Sequence, residues 1–303
     1  MIGGIVTPAS PPAWLEVVPS AVGALSYTDL PVWGAALGGL VGGLLRVRRA
    51  HVEHAMLRAG VPTPEAAADA MYRALGTSAL ELLWLSHGPR DLRPLTAFEG
   101  DTEARYGELL RRGRGMVLAA SHTGNWDLAA CAVATRLGPL SVVTKRLSWT
   151  SVDALWQRTR AAYGVRLVLA RGAFAMAREA LAAGGAVALM IDQVPARERH
   201  GLRARFLGEE AWVDRAPATV AARFGVPLVV TASRRDDRGV QRLSILDVIE
   251  PPGRAGAAWI DDATSRATTA LERFVLAYPT EWLWMHRRWH APRSRALPVT
   301  LRA

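Results

Sequence analysis

The sequence predicts an α/β fold: a largely parallel central sheet flanked by helices, with membrane-associating helices at the N-terminus. Three observations carry this expectation. From Met116 onward, short apolar runs alternate with stretches of helical periodicity, the pattern of repeated strand–helix units. Residues 1–90 read as helical throughout, so the chain divides into an N-terminal helical region, 1–90, and an α/β domain, 91–303. The length of 303 residues, half of them hydrophobic, is enough to bury a sizeable core.

In chain order, Leu30–Leu45 is apolar, contains Pro31 and several glycines, and runs into Arg46, Arg48 and Arg49. It is at or below the length that spans a bilayer. The reading is a helix lying on a membrane or shallowly inserted, with a basic stop on the cytoplasmic side; a buried helix of a soluble protein is the alternative. Thr63 and Pro64 suit the cap and first position of a helix running through Met71, Leu75, Leu82 and Leu83 and stopping near His87-Gly88-Pro89. Asp101-Thr102-Glu103 opens another. Strands are expected at Met116–Ala120, Leu140–Val143, Val165–Leu169, Ala186–Ile191, Pro227–Ala232 and Leu243–Ile249. Helices are expected at Asn125–Leu137, Ser151–Tyr163, Phe174–Ala183, Ala216–Phe224 and Asp262–Tyr278, and a long polar loop after Ile191.

The formal net charge of +10 points to an anionic partner, such as lipid head groups or an acidic or phosphorylated carrier. Nucleic acid is not expected, because no zinc-knuckle spacing, single-strand-binding aromatic signature or long basic run is present. The single cysteine, Cys131, rules out an internal disulfide, fits a reducing compartment, and reads as a small core residue. The first ten residues carry no positive charge, so no secretory signal is expected.

The sharpest local feature is Ser121-His122-Thr123-Gly124-Asn125-Trp126-Asp127. A buried strand ends at Ser121, and Asn125 is a good helix cap. His122 therefore falls in a strand-to-helix turn, where α/β folds place reactive groups. Asp127 falls in the first helical turn, and Gly124 would let the chain fold back so that its carboxylate meets the imidazole. A carboxylate on one ring nitrogen fixes the tautomer and leaves the other nitrogen free to take a proton from a hydroxyl. The nucleophile is then the substrate's own hydroxyl. The same residues also read as an ordinary helix cap with His122 incidental.

This block resembles the first motif of the bacterial lipid A late acyltransferases and their relatives, the phosphatidylinositol mannoside acyltransferases. The resemblance extends along most of the chain. Arg48-Arg-Ala-His-Val-Glu-His-Ala-Met-Leu is similar to the family's basic turn and following helix, and Arg158-Thr159-Arg160 to its second block. Met190-Ile191-Asp192-Gln193 is similar to its strand ending in Asp-Gln, and Arg205-Phe206-Leu207-Gly208 to its Phe-Phe-Gly turn. Pro279 to Trp289 resembles its closing Pro-Glu-x-x-x-Trp-x-x-Arg-Arg-aromatic signature. Two departures stand out: Arg205 replaces a proline, and Thr280 stands where the family has Glu.

The resemblance implies a glycerol-3-phosphate acyltransferase-like fold, with His122 as general base and Asp127 as its orienter. It implies transfer of an acyl chain from acyl carrier protein or coenzyme A to a hydroxyl of a lipid or glycolipid, at the cytoplasmic face of the cell inner membrane. No metal or redox cofactor is implied. A lysophospholipid or other specialised lipid O- or N-acyltransferase is the alternative within this chemistry. A non-catalytic module that binds anionic lipid or carrier protein is the alternative outside it.

Asn125, Arg158, Asp192 and Gln193 are the candidates for binding substrate. Arg158 and Arg160 lie two apart on a helix and face different ways, so one lines the site; Arg158 is the choice, for a phosphate. Asp192 and Gln193 end a strand on the same sheet edge as His122 if the strands are parallel. Asp192 would line the site or pair with an arginine there. The basic stretch Arg197–Arg205 reads as a contact for lipid phosphate or an acidic carrier, or as a solvated loop. Of Trp282 and Trp284, one is expected in the core and the other exposed. Glu281, Arg287 and Arg288 read as structural, and His286 as a satisfied histidine.

Overall fold

The computed structural model describes residues 17–292. The reading of the first ten residues lies outside this range.

The sheet strands form where the apolar runs predict them: β2 at Met116–Ala120, β3 at Leu140–Thr144, β4 at Val165–Leu169, β5 at Ala186–Met190, β8 at Leu228–Arg235 and β9 at Gln241–Ile249. A short additional strand, β1 at Thr96–Phe98, adds to β9 at the edge. The seven strands run in the order β1-β9-β8-β2-β5-β3-β4. β8, β2, β5, β3 and β4 are mutually parallel, whereas β9 is antiparallel to β8. This is the largely parallel sheet that the alternation predicts.

Both sheet faces are covered by helices. Along β2 and β5, Val117, Ala119, Val187 and Leu189 point into one core with α8 (Ala173–Ala182), α9 (Ala216–Phe224) and α10 (Ala257–Ala277). Met116, Leu118, Ala186 and Ala188 point into the other, with α5 (Thr102–Arg111) and α6 (Trp126–Arg136). The period of two within a continuous apolar run is what a strand buried on both faces requires. Cys131 lies in α6, fully buried, and burial pushes its thiol up to about 12. α7 spans Thr150–Ala162.

The N-terminal region is not a separate layer. α1 (Val17–Gly23), α2 (Leu30–Gly38), α3 (Arg49–Arg58) and α4 (Pro64–Ser86) pack on one another, and Val52, Met56, Met71 and Tyr72 enter the same core as β2 and β5. α2 continues as a π-helix, Gly39–Leu44. Gly34 and Gly38 let it approach α4 so closely that a Cβ on either would collide with the backbone of Thr77 or Tyr72. The opposite side of this segment is apolar and open: Val32, Trp33, Leu44 and Leu45 are between 57% and 76% exposed. Among the described residues no single helix is long and apolar enough to cross a membrane; only the bent pair Tyr27–Leu44 and Arg49–Arg58 reaches that length and composition.

The loop expected after Ile191 is instead a β-hairpin, β6 (Gly201–Phe206) paired antiparallel with β7 (Glu209–Asp214). Its turn is Leu207-Gly208, both with positive φ, the turn that matches the twist of paired strands. The alternation of Leu202, Ala204 and Phe206 with Arg203 and Arg205 has the strand period, and the density of arginines conceals it.

Candidate active site

The sheet register assembles the site. Met116 pairs with Ala186, and the ladder continues in step to Ala120 opposite Met190. The two chains therefore leave the sheet side by side, and the Ile191 N–H donates to the Ala120 carbonyl at 2.9 Å. The same step sets His122 beside Asp192. The imidazole Nδ1 lies 2.9 Å from Asp192 Oδ1, and the His122 backbone N–H donates to Oδ2 at 2.8 Å. The carboxylate only accepts, so Nδ1 donates to it and Nε2 is the nitrogen left for another partner.

The rest of the site locks this pair. The Trp282 indole N–H donates to Asp192 Oδ2 at 2.9 Å. Trp282 reaches it because the C-terminal segment lies along the His122 turn: the Gly124 N–H donates to Glu281 O, the Leu283 N–H donates to His122 O, and Thr123 bridges Trp282. Gly124 has φ of +56°, and a Cβ there would come within 2.7 Å of Ser233 O and Gln241 Oε1. Glycine is therefore required both for the turn and for the close approach of β8 and β9. Trp126 and His286 contact the imidazole edge-on, with centroids at 5.0 and 4.8 Å.

Burial alone would push Asp192 up. The charge of His122 and the hydrogen bonds from its ring and backbone outweigh this and hold the carboxyl well below the usual range. His286 is pushed down to about 4 by burial and by the neighbouring His122, so it is neutral at physiological pH. At Nε2 of His122 stands the Gln193 side-chain amide, 3.4 Å away, while Lys145 donates to the Gln193 oxygen at 3.1 Å. An acceptor hydroxyl placed here would meet the basic nitrogen. Trp126 also walls an apolar notch of about 20 Å³, with Met71, Leu75, Trp282 and Leu283.

Asp127 takes a different partner from the expected one. Its carboxylate accepts from Arg160 Nε at 2.6 Å and pairs with the other guanidinium nitrogen at 2.5 Å. As the second residue of α6, it projects toward α7 and not back across the turn to the imidazole; the carboxylate on His122 comes from the neighbouring strand instead. Of the two arginines on α7, Arg160 reaches Asp127 and approaches Thr144 at the end of β3. Arg158 is half-buried on α7.

Asn125, expected to bind substrate, is buried and used up by structure. Its oxygen caps α6 by accepting from the Leu128 N–H, and its amide donates to Glu81 on α4 at 2.8 Å. Glu81 in turn receives Arg235 through both oxygens at 2.7 Å, and Tyr27. Trp282 and Trp284 are both buried, 1% and 0% exposed, so neither is the exposed one. His286, read as an ordinary histidine, stands against His122. The signal in the sequence was the dense aromatic and basic run from Trp282 to Trp289, the one block of that kind at the end of the described chain.

Beyond this geometry, the chain is similar over most of its length to known proteins. A family model described as bacterial lipid A biosynthesis acyltransferase matches residues 63–291. The phosphatidylinositol mannoside acyltransferase of Mycolicibacterium smegmatis is 27% identical over 194 residues, covering 61% of this chain and 60% of that protein. The phosphatidylinositol mannoside acyltransferase of Mycobacterium tuberculosis is 27% identical over 203 residues, covering 64% of this chain and 60% of that protein. The match thus spans about three fifths of the length of these curated relatives. Since the family model covers all of the sheet and every residue of the His122 site, the chain belongs to the bacterial lipid A biosynthesis acyltransferase family.

Proposed function

We propose that this protein transfers a fatty acyl group from a thioester, on acyl carrier protein or coenzyme A, to a hydroxyl of a glycolipid at the cytoplasmic face of the cell inner membrane. The observation that carries the reading is the His122–Asp192 pair: a carboxylate on Nδ1 at 2.9 Å, with Nε2 facing the Gln193 amide at 3.4 Å. His122 removes the proton of the acceptor hydroxyl through Nε2 as the oxygen attacks the thioester carbonyl. Asp192 holds the tautomer and stabilises the imidazolium that forms. The proton then passes to the departing thiolate. Gln193 yields its place at Nε2 to the acceptor hydroxyl.

A glycolipid acceptor is supported by the relatives, which are phosphatidylinositol mannoside acyltransferases. Membrane association is supported by the open apolar face of Val32, Trp33, Leu44 and Leu45, flanked by Arg46 and Arg48. The net charge of +10 favours an anionic leaflet.

The test is acyl transfer by purified wild type and His122→Ala, with acyl-carrier-protein and acyl-coenzyme A donors and a panel of glycolipid and lysolipid acceptors. The expected result is transfer by wild type that falls at least about a hundredfold in the variant. Unchanged transfer by a folded His122→Ala protein would sink the assignment of the base.

A further inference from the structure

A second feature adjoins the His122 site and shares Asp192 and Gln193 with it. The loop after Asp192 and the segment from His286 to Pro292 face each other across a cleft of about 980 Å³. Four arginines line it, Arg197, Arg199, Arg287 and Arg288, against two carboxylates, Asp192 and Glu198. Asp192 is already committed to His122 and Trp282. Among the described residues neither Arg197 nor Arg287 makes an ion pair, and both side chains are exposed at the cleft.

Arg288 is the unusual member. It is 1% exposed, yet no carboxylate among the described residues lies within ion-pair distance of it. One terminal nitrogen donates to the Trp212 carbonyl of β7, and the guanidinium lies over the Phe206 ring at 5.1 Å. Its Nε has no hydrogen-bond partner. Asp192 and Asp214 favour its charge only from beyond ion-pair distance, and a buried donor left unpaired is costly in a folded protein. That cost is met, and the charge further balanced, if an anion enters beside it. A guanidinium's planar set of donors suits a phosphate, and the surrounding arginines supply further charge-assisted bonds.

We infer that this cleft binds a phosphate ester carried by one of the substrates, with Arg288 at its inner wall and Arg197 and Arg287 at its mouth. The identity of the ligand rests on the acyl-transfer reading; the anion site itself rests on the arginines. Two sources share this chemistry. The donor brings a phosphate on its pantetheine arm, whether that arm is on coenzyme A or on a carrier protein. A phospholipid acceptor brings the diester of its head group. The cleft opens at Asp192 and His286, so either would lead its reactive end to Nε2 of His122.

Titration calorimetry decides this without turnover. The probes are coenzyme A, glycerophosphoinositol as a soluble head group, and pantetheine as the phosphate-free control. The proteins are wild type, Arg197→Ser/Arg287→Ser and Arg288→Met, the last with its fold checked by circular dichroism. At least one phosphate ligand is expected to bind wild type, and to bind both variants about tenfold more weakly or worse, the size of losing hydrogen bonds to a charged group. Pantetheine binding is expected to stay unchanged. A loss confined to coenzyme A assigns the cleft to the donor, and one confined to glycerophosphoinositol assigns it to the acceptor. Equal affinity of wild type and the exposed double variant for both phosphate ligands, or no binding of either to wild type, overturns the site. A positive titration beside a failed transfer assay would sink the acyl-transfer reading alone.

Discussion

Asp127 and Asp192 sit at the same edge of the same sheet, 4% and 1% exposed, and each holds one basic side chain. Asp127 faces Arg160, whose guanidinium offers only hydrogen-bond donors. Asp192 faces His122, an imidazole with its second ring nitrogen on the side away from the carboxylate. The first pair fixes two helices against each other. The second couples a buried carboxylate to a nitrogen that opens into the site. The same chemical group is therefore structural in one case and poised for proton transfer in the other, and the partner alone makes the difference.

That contrast can be broken or sharpened by substitution. Asp127→Asn would leave the guanidinium of Arg160, 12% exposed, without its counter-ion. The expected loss is about 3 kcal/mol of stability, read from denaturant midpoints, as when one partner of a buried pair is removed. Its effect on turnover is expected to stay below tenfold, because Asp127 holds no bond to the imidazole among the described contacts. A smaller effect is expected at Asn125, which supports both regions without touching either basic group. Asn125→Ala removes the α6 cap and a bond to Glu81, and should cost about 1–2 kcal/mol in the same assay, with the Michaelis constant for either substrate unchanged. A raised Michaelis constant at full stability would return Asn125 to the substrate.

The central sheet and most helices were legible because their signals are local: apolar runs, caps and stop residues within a few positions. β2 and α6 appear within a residue of their predicted ends, with Asn125 as cap. His122 was legible for the same reason, as the residue in the turn between them. Its partner was not. Asp127 is close in sequence, whereas Asp192 lies 70 residues on and arrives through the register of β2 and β5, a non-local pairing with β3 and β4 between them in the chain. The sequence reading brought Asp192 to the right edge of the sheet on the assumption of parallel strands, but spacing alone does not supply register. The pairing of Arg160 with Asp127 is hidden for the same reason: Arg158 and Arg160 both lie on α7, and only the position of α6 decides which one meets Asp127. The contacts of Trp282 and His286 come from a C-terminal segment that crosses the turn without regular secondary structure, so no periodicity announces them. β6 and β7 were hidden because arginine occupies the exposed positions of a short, otherwise ordinary hairpin.

The most direct test of the account compares turnover of Asp192→Asn and Asp127→Asn in parallel, each checked for folding, under saturating donor and acceptor. The account predicts that Asp192→Asn loses at least about a hundredfold in kcat, since the imidazole loses the group that fixes its tautomer and stabilises its charge, while Asp127→Asn keeps its rate within tenfold. A folded Asp192→Asn enzyme at wild-type rate, with Asp127→Asn inactive, would contradict it and return the orienting role to Asp127.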